Sequence, residues 1–251
     1  MLKTDLLLRP PPLDLISSAS LFLDFDGTLV DLIDDPEQVR ADAELRDLLD
    51  RLEAALPRRV AIVSGRSLEQ LDRMLGGASE MLALAGSHGA EFRVGGEAPE
   101  VAVPPSLPEV AAAMDAFAAT RPGVSVERKT LGVGLHYRRA PGHEADALAL
   151  AYALAREHGL HLQRGKMVAE VRVDGDKGRA VTRLVTGAAM AGTTPLVFGD
   201  DVTDEDGFAA AAALNGAGVL VGPPRETAAA YALPDVAGVR RWLRDAVEHL
   251  A

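Results

Sequence analysis

Two carboxylates two residues apart, Asp24 and Asp26, follow an apolar run in LFLDFDGTLV, residues 21–30. Unpaired charge is not tolerated inside a core, so these acids belong at the end of a buried strand, where chemistry can use them. A second acid pair, Asp200-Asp201, follows another apolar run in TPLVFGDD. Acids gathered from separate strands repel one another unless a cation lies among them. An all-oxygen set of carboxylates, waters and a phosphate is what Mg2+ prefers. Asp24, Asp26 and Asp200 are therefore expected to converge on Mg2+. With the ion present, one carboxylate can stay ionised and attack phosphorus. Ser64 and Gly65, in VSGRS, offer a hydroxyl and a backbone N–H at the start of a helix, a ready site for phosphate oxygens. Lys177, in DGDKGR, would hold the phosphate and the nucleophile together in an otherwise acidic site.

These residues need a frame that brings strand ends together. Val60 to Val63 reads as a short strand breaking into Ser64-Gly65-Arg66, and MLALAGSHGAEFRV as an apolar strand running into a glycine-rich turn. Between and after them lie helical patterns: Leu45, Leu48, Leu49 and Leu52, then Leu68, Leu71, Met74 and Leu75 before Gly76-Gly77. Alternating strands and helices imply a parallel sheet with crossover helices, and ligands in such sheets sit beyond the carboxyl ends of the strands. Four prolines between Pro99 and Pro108 mark a boundary. Beyond it come a helix near 109–119, strands VSVERKT and GVGLHYRR, a helix in HEADALALAYALAREHG, and strands LHLQRG and MVAEVRV. That order describes an open-faced α+β unit with an antiparallel sheet. From Lys177 the alternation resumes: GRAVTRLVTGAAM helical, TPLVFGDD and GVLVG strands, DEDGFAAAAAL, RETAAAYAL and VAGVRRWLRDAVEHL helical.

The formal net charge is −11, which argues against a nucleic-acid binder. With no cysteine there is no disulfide or thiolate metal site. Aromatics are 4% of the chain, so Leu, Val and Ala must build the core. No run of about 20 apolar residues is present and no signal segment is expected, which points to a cytoplasmic protein. Residues 121–179 carry eleven Lys/Arg against seven Asp/Glu, a local reversal of sign. A solvated sheet face and a surface for an anionic ligand both account for it. A calcium-loop reading of DDVTDEDG has acids at useful spacing but lacks the Gly and terminal Glu of the helix–loop–helix pattern.

DFDGTL, then S-G-R, then Lys177, then GDD resembles the four-motif core of the haloacid dehalogenase (HAD) superfamily of phosphatases. GSHGAE (86–91), ERK (127–129), HYR (136–138), GKMVAEVR (165–172) and FGDDVTDEDGF (198–208) resemble the trehalose-6-phosphate phosphatase family. One departure stands out: VRVDGDKG occupies the place of a pattern with Arg-Pro and an Asn before Lys-Gly. The resemblance covers nearly the whole chain from about residue 18. It implies an α/β fold with a HAD-like Rossmannoid core, residues 1–105 and 175–251, and an inserted cap, residues 106–174, with an antiparallel sheet. It makes Asp24 the nucleophile that forms an aspartyl-phosphate and Asp26 the acid/base. Asp26 would give the metal its backbone carbonyl. Asp200 would be the metal carboxylate of the fourth motif, supported by Asp201 and Asp204, with Ser64, Gly65 and Lys177 at the phosphate.

The resemblance also gives the insertion a task, reading the sugar of trehalose 6-phosphate. A neutral polyhydroxyl needs side chains that donate and accept, and Glu127, Lys129, His136, Arg138, Lys166 and Glu170 lie on the cap's strands. Glu127 shares a strand face with Lys129, and His136 with Arg138; Lys166 shares one with Glu170 if that strand is unbroken. A surface ladder of salt bridges is the competing account. For His88, in GSHGAE, a substrate contact and a role in shaping the loop between core and cap are both open, the second being the favoured reading. The expected activity is Mg2+-dependent hydrolysis of trehalose 6-phosphate by a monomer or weak homo-oligomer, with no nucleic-acid or membrane partner. Related capped enzymes act on sucrose 6-phosphate and on mannosyl- or glucosyl-3-phosphoglycerate. A silent sugar-phosphate-binding module on the same fold is a third reading, and metal-dependent turnover separates it from the first two.

Overall fold

The computed structural model describes residues 8–33, 35, 38–95, 100, 101, 103–165 and 167–250. Two compact units emerge, Met1–Glu100 with Gly175–Ala251, and Val101–Asp174. The first unit is built on an eight-stranded sheet. In chain order its strands are β1 (Ala19–Leu23), β2 (Val60–Val63), β3 (Ala83–Gly86), β4 (Glu91–Val94), β5 (Glu100–Val101), then β10 (Thr194–Gly199), β11 (Ala217–Val221) and β12 (Tyr231–Leu233). They lie in the order β12-β11-β10-β1-β2-β3-β4-β5. From β12 to β3 all neighbours are parallel; β4 turns back antiparallel on β3.

Every residue of β1 is buried, as a parallel strand covered on both faces requires. Its side chains alternate. Leu21 and Leu23 join the layer containing α1 (Ala43–Ala55), α2 (Leu68–Leu75) and α7 (Val236–Leu250). Phe22 joins the opposite layer with α5 (Lys177–Thr186) and α6 (Glu205–Ala213). The leucine stripe of α1 is wholly buried, and each such side chain contributes about 1.5–3 kcal/mol relative to exposure. Asp42 caps α1 by accepting from Leu45 N at 2.7 Å, and Ser67 with Gln70 forms a capping box on α2. Trp242 of α7 donates its indole N–H to Pro11 O at 2.8 Å and packs on Phe198 with ring centroids 5.3 Å apart.

Three sequence expectations change. MLALAGSHGAEFRV is two strands, β3 and β4, folded about Ser87-His88-Gly89. α5 ends at Thr186, where the N–H of Gly187 closes the last carbonyls. RETAAAYAL is not a helix: its last residues form β12, and the rest is irregular. Alanine propensity loses to specific partners there. The Glu205 carboxylate takes the N–H of Ala228 at 2.7 Å, the Thr227 hydroxyl at 3.2 Å and the Arg225 guanidinium. Ala230 and Ala232 donate to Gly218 O and Arg9 O.

The second unit holds α3 (Leu107–Ala119), β6 (Ser125–Lys129), β7 (Gly132–His136), α4 (Glu144–His158), β8 (His161–Gly165) and β9 (Val168–Arg172). Its antiparallel sheet runs β6-β7-β9-β8. Val133, Leu135, Ala169 and Val171 form one face, buried with residues of α3 and α4. By register the other face carries Glu127, Lys129, Gly132, Gly134, His136, Gln163, Glu170 and Arg172. Among the described residues, no helix is long and apolar enough to cross a membrane.

Candidate active site

β1 lies between β10 and β2, so three parallel strands deliver their carboxyl ends side by side. Asp24 immediately follows β1 and extends its ladder, donating its N–H to Phe198 O at 3.0 Å. Asp200 follows β10. One carboxylate oxygen from each of Asp24, Asp200 and Asp204 lies within 4.8 Å of the others. Lys177, the first residue of α5, sends its ammonium between two of them: 2.7 Å to Asp24 Oδ1 and 2.6 Å to Asp204 Oδ1. Asp24, Lys177 and Asp204 are buried. Asp204 spends its other oxygen on the N–H of Asp201, at 3.0 Å, and Asp201 accepts from Val202 N.

Three carboxylates around one ammonium leave a formal charge of −2 in a buried place. Burial pushes the Asp24 carboxyl up to about 8, against the pull of Lys177 and with the push of Asp204 and Asp200. Burial, then Asp204 and Asp201, raise Asp200 to about 6. Burial disfavours the Lys177 ammonium, but Asp24 and Asp204 outweigh it and hold its pKa above the usual lysine range. Without a cation, then, the acid cluster retains protons at neutral pH. A divalent ion would replace them and bring the formal charge to zero. The donor set is oxygen only, so the residues fit a metal site of hard-cation type.

Two glycines make room. Gly27 has φ +81°, and a side chain there would run into the Asp200 carboxylate. At Gly65 a Cβ would lie 2.6 Å from Nε2 of His88. His88 packs there because Ser87 and His88 both adopt left-handed backbone, φ 49° and 56°. Hydrogen bonds hold the two turns together: His88 N to Ser64 O at 2.8 Å, Ser87 N to Arg66 O at 2.7 Å. Glu91, buried at the start of β4, accepts from the Ser87 hydroxyl at 2.9 Å and from Leu68 N at 2.7 Å. Ser64 is buried at the end of β2, its hydroxyl accepting from Arg66 N at 3.2 Å. Before Lys177, Asp176 caps α5, accepting from Gly178 N at 2.7 Å and Arg179 N at 3.2 Å. An acid thus does the capping in the segment that departs from the family pattern.

Asp26 does not point its carboxylate into the acid cluster. Arg66 grips it with two bonds, Nε to Oδ2 and Nη2 to Oδ1, both 2.7 Å. Its place in the expected trio of converging side chains is taken by Asp204, which the sequence suggested only as support. Neither Arg66 nor Glu91 was singled out from sequence. The acid closing GSHGAE, after an apolar strand and a glycine-rich turn, was the available signal for Glu91.

On the polar face of the second unit, Lys129 donates to Glu170 at 2.6 Å, and His136 Nε2 lies 2.8 Å from Glu127. Arg172 donates to Gln163 at 2.5 Å. Arg138 is exposed beyond the end of β7. Lys166 lies outside the described residues, and the strand assumed to join it to Glu170 begins only at Val168.

Comparison with known proteins places this geometry. The family model described as Trehalose-phosphatase matches residues 22–236. The trehalose-6-phosphate phosphatase of Escherichia coli (strain K12) is 34% identical over 234 residues, covering 92% of this chain and 87% of that protein. A probable trehalose-phosphate phosphatase of Sinorhizobium fredii is 36% identical over 209 residues, covering 82% and 78%. A crystal structure described as a trehalose-6-phosphate phosphatase related protein superposes with a TM-score of 0.74 at 28% identity, covering 91% of this chain and 97% of that one. A match that runs from inside β1 to the start of α7, through every strand end described above, makes the chain a member of the trehalose-phosphatase family.

Proposed function

We propose that this chain hydrolyses trehalose 6-phosphate to trehalose and phosphate, with Mg2+ at the acid cluster. The carrying observation is the buried Lys177 ammonium between Asp24 and Asp204, beside Asp200. Asp24, Asp200 and the backbone carbonyl of Asp26 would hold the ion, with Asp201 and Asp204 behind them. When bound, it draws negative charge off the phosphoryl oxygens and keeps the carboxylates ionised.

Lys177 takes one Asp24 oxygen and directs the other to phosphorus. Attack forms an Asp24–phosphorus bond as the bond to the sugar oxygen breaks, and Asp26 gives that oxygen its proton. Asp26 then takes a proton from water, which attacks the phosphorus of the aspartyl-phosphate and releases inorganic phosphate from Asp24. The Ser64 hydroxyl and Gly65 N–H receive phosphoryl oxygens, with Lys177 opposite.

The polar face of the second unit reads the sugar. Glu127, Lys129, His136 and Glu170 project from neighbouring strands, and Gly132 and Gly134 between them leave room for the Lys129–Glu170 and His136–Glu127 pairs to close over the sheet, so a hydroxyl-bearing ring would meet donors and acceptors side by side. Arg138 adds a donor beyond the end of β7. The protein acts in the cytoplasm as a monomer or weak homo-oligomer. The test is phosphate release from trehalose 6-phosphate with and without Mg2+, beside sucrose 6-phosphate and mannosyl-3-phosphoglycerate. Equal rates on all three sugars would refute the substrate assignment, and metal-independent release would refute the mechanism.

A further inference from the structure

The geometry points to Arg66 as the positioning residue of Asp26: its guanidinium fork sets the orientation from which Asp26 serves the leaving oxygen. This rests on the reading of Asp26 as the acid/base. A carboxylate on a two-torsion side chain has no fixed plane of its own, and a bidentate guanidinium supplies one. Here both oxygens are taken, each at 2.7 Å. Arg66 is in turn anchored at its backbone. Its N–H reaches the Ser64 hydroxyl, its carbonyl takes the Ser87 N–H, and Ser67 begins the capping box of α2. The buried Glu91 ties the same two pieces, Ser87 and the first N–H of α2. Asp26 is therefore aligned by the phosphate-site turn at the end of β2, not by its own strand.

Only 12% of the Arg66 side chain and 24% of the Asp26 side chain are exposed. A half-buried fork this well fixed is more than a surface ion pair. It is also out of reach of the charge cluster's own lysine, which is committed to Asp24 and Asp204. An incoming phosphate near Ser64 would compete for the same guanidinium. While both oxygens accept from Arg66, Asp26 is a carboxylate; an ester that takes one N–H of the fork frees one oxygen to carry the proton Asp26 gives, and the remaining bond keeps its orientation.

Leaving-group dependence tests this. Trehalose 6-phosphate expels an alkoxide and needs its proton; p-nitrophenyl phosphate expels a phenolate that does not. Arg66→Met is expected to lower kcat/KM, which reports the steps up to departure of the leaving group, about 100-fold on the sugar ester and less than about threefold on the aryl ester. Arg66→Lys, which reaches one oxygen only, should give an intermediate loss with the same selectivity and covers the case in which the Met variant does not fold. In an Asp26→Asn background, Arg66→Met should add no further selectivity. Equal losses on both esters from either Arg66 variant, or a selective loss that persists in the Asn background, would overturn the proposal while Asp26 stays the acid. If Asp26→Asn itself lowers kcat/KM equally for both esters, the reading of Asp26 as the acid fails, and the proposal with it.

Discussion

The two units hold charge in opposite ways. At the ends of β1 and β10, charge is buried and out of balance: three acids share one lysine. On the sheet of the second unit each part-exposed carboxylate has its own partner, Glu170 the Lys129 ammonium and Glu127 the His136 ring. An unbalanced cluster cannot rest alone; it must hold protons or a cation. Matched pairs are content without a ligand and can trade one partner for a sugar hydroxyl at small cost. Chemistry is expected from the first arrangement and recognition from the second.

The strongest way to break this contrast is at Asp24. Asp24→Asn removes the attacking oxygen and should reduce phosphate release by roughly 10⁴-fold or more. Above pH 8, where Asp24 is ionised, it should also raise the melting temperature of the metal-free protein, because the cluster loses an excess charge. Substantial residual turnover would remove Asp24 from the nucleophile's place. Next comes Lys177→Met, which strands Asp24 and Asp204 without a counter-charge in a buried site. Urea titration should show a loss of about 3–5 kcal/mol, and a stability equal to that of the parent would mean the acids do not need the lysine.

Asp24 and Asp200 were legible from sequence because charged residues directly after apolar strands are costly there unless something uses them; Lys177 stood out only as a cation at a helix start in an otherwise acidic site and through the family resemblance. The order of strands and helices was legible for the same reason, through the leucine spacing of α1 and α2 and the valine-rich β2. What escaped was set by partners far along the chain. Asp204 read only as support for Asp200, and its Lys177 contact spans 27 positions; Arg66 reaches Asp26 across 40. The alanines before β12 carry a helical bias that the Glu205 carboxylate and an edge strand override. On the second sheet, spacing alone put Glu127 and Lys129 on one face, but their partners, His136 and Glu170, follow from strand register.

A smaller effect sharpens the contrast through pH. Asp24 and Asp200 titrate in the folded protein near 8 and near 6, above the ordinary carboxyl value of 3.8. The metal-free fold therefore binds protons that the unfolded chain has already released. That stabilisation is complete below pH 4 and drains away as pH rises through 6 and 8. Mg2+ displaces those protons, so the thermal shift it causes should be small at pH 5 and grow toward pH 8. A shift that does not change with pH would mean the acids are ionised before the metal arrives. The mildest change belongs to the second unit. Glu170→Gln should raise KM for trehalose 6-phosphate by about tenfold with kcat little altered and p-nitrophenyl phosphate hydrolysis untouched. A fall in kcat with constant KM would move Glu170 out of ground-state recognition.

The pairing of β1 with β10 sets residues 19–23 beside 194–198, and that fixes a timetable. A ribosome delivers β1 early, yet its central neighbour emerges only after residues 101–174 have been made, a stretch whose hairpins close over short distances. Local contacts form fast and distant ones slowly, and units tend to fold as they are synthesised. The second unit is thus expected to be folded while the first still waits for its middle. Until Asp204 leaves the exit tunnel, the nascent chain carries a finished second unit and an incomplete acid cluster.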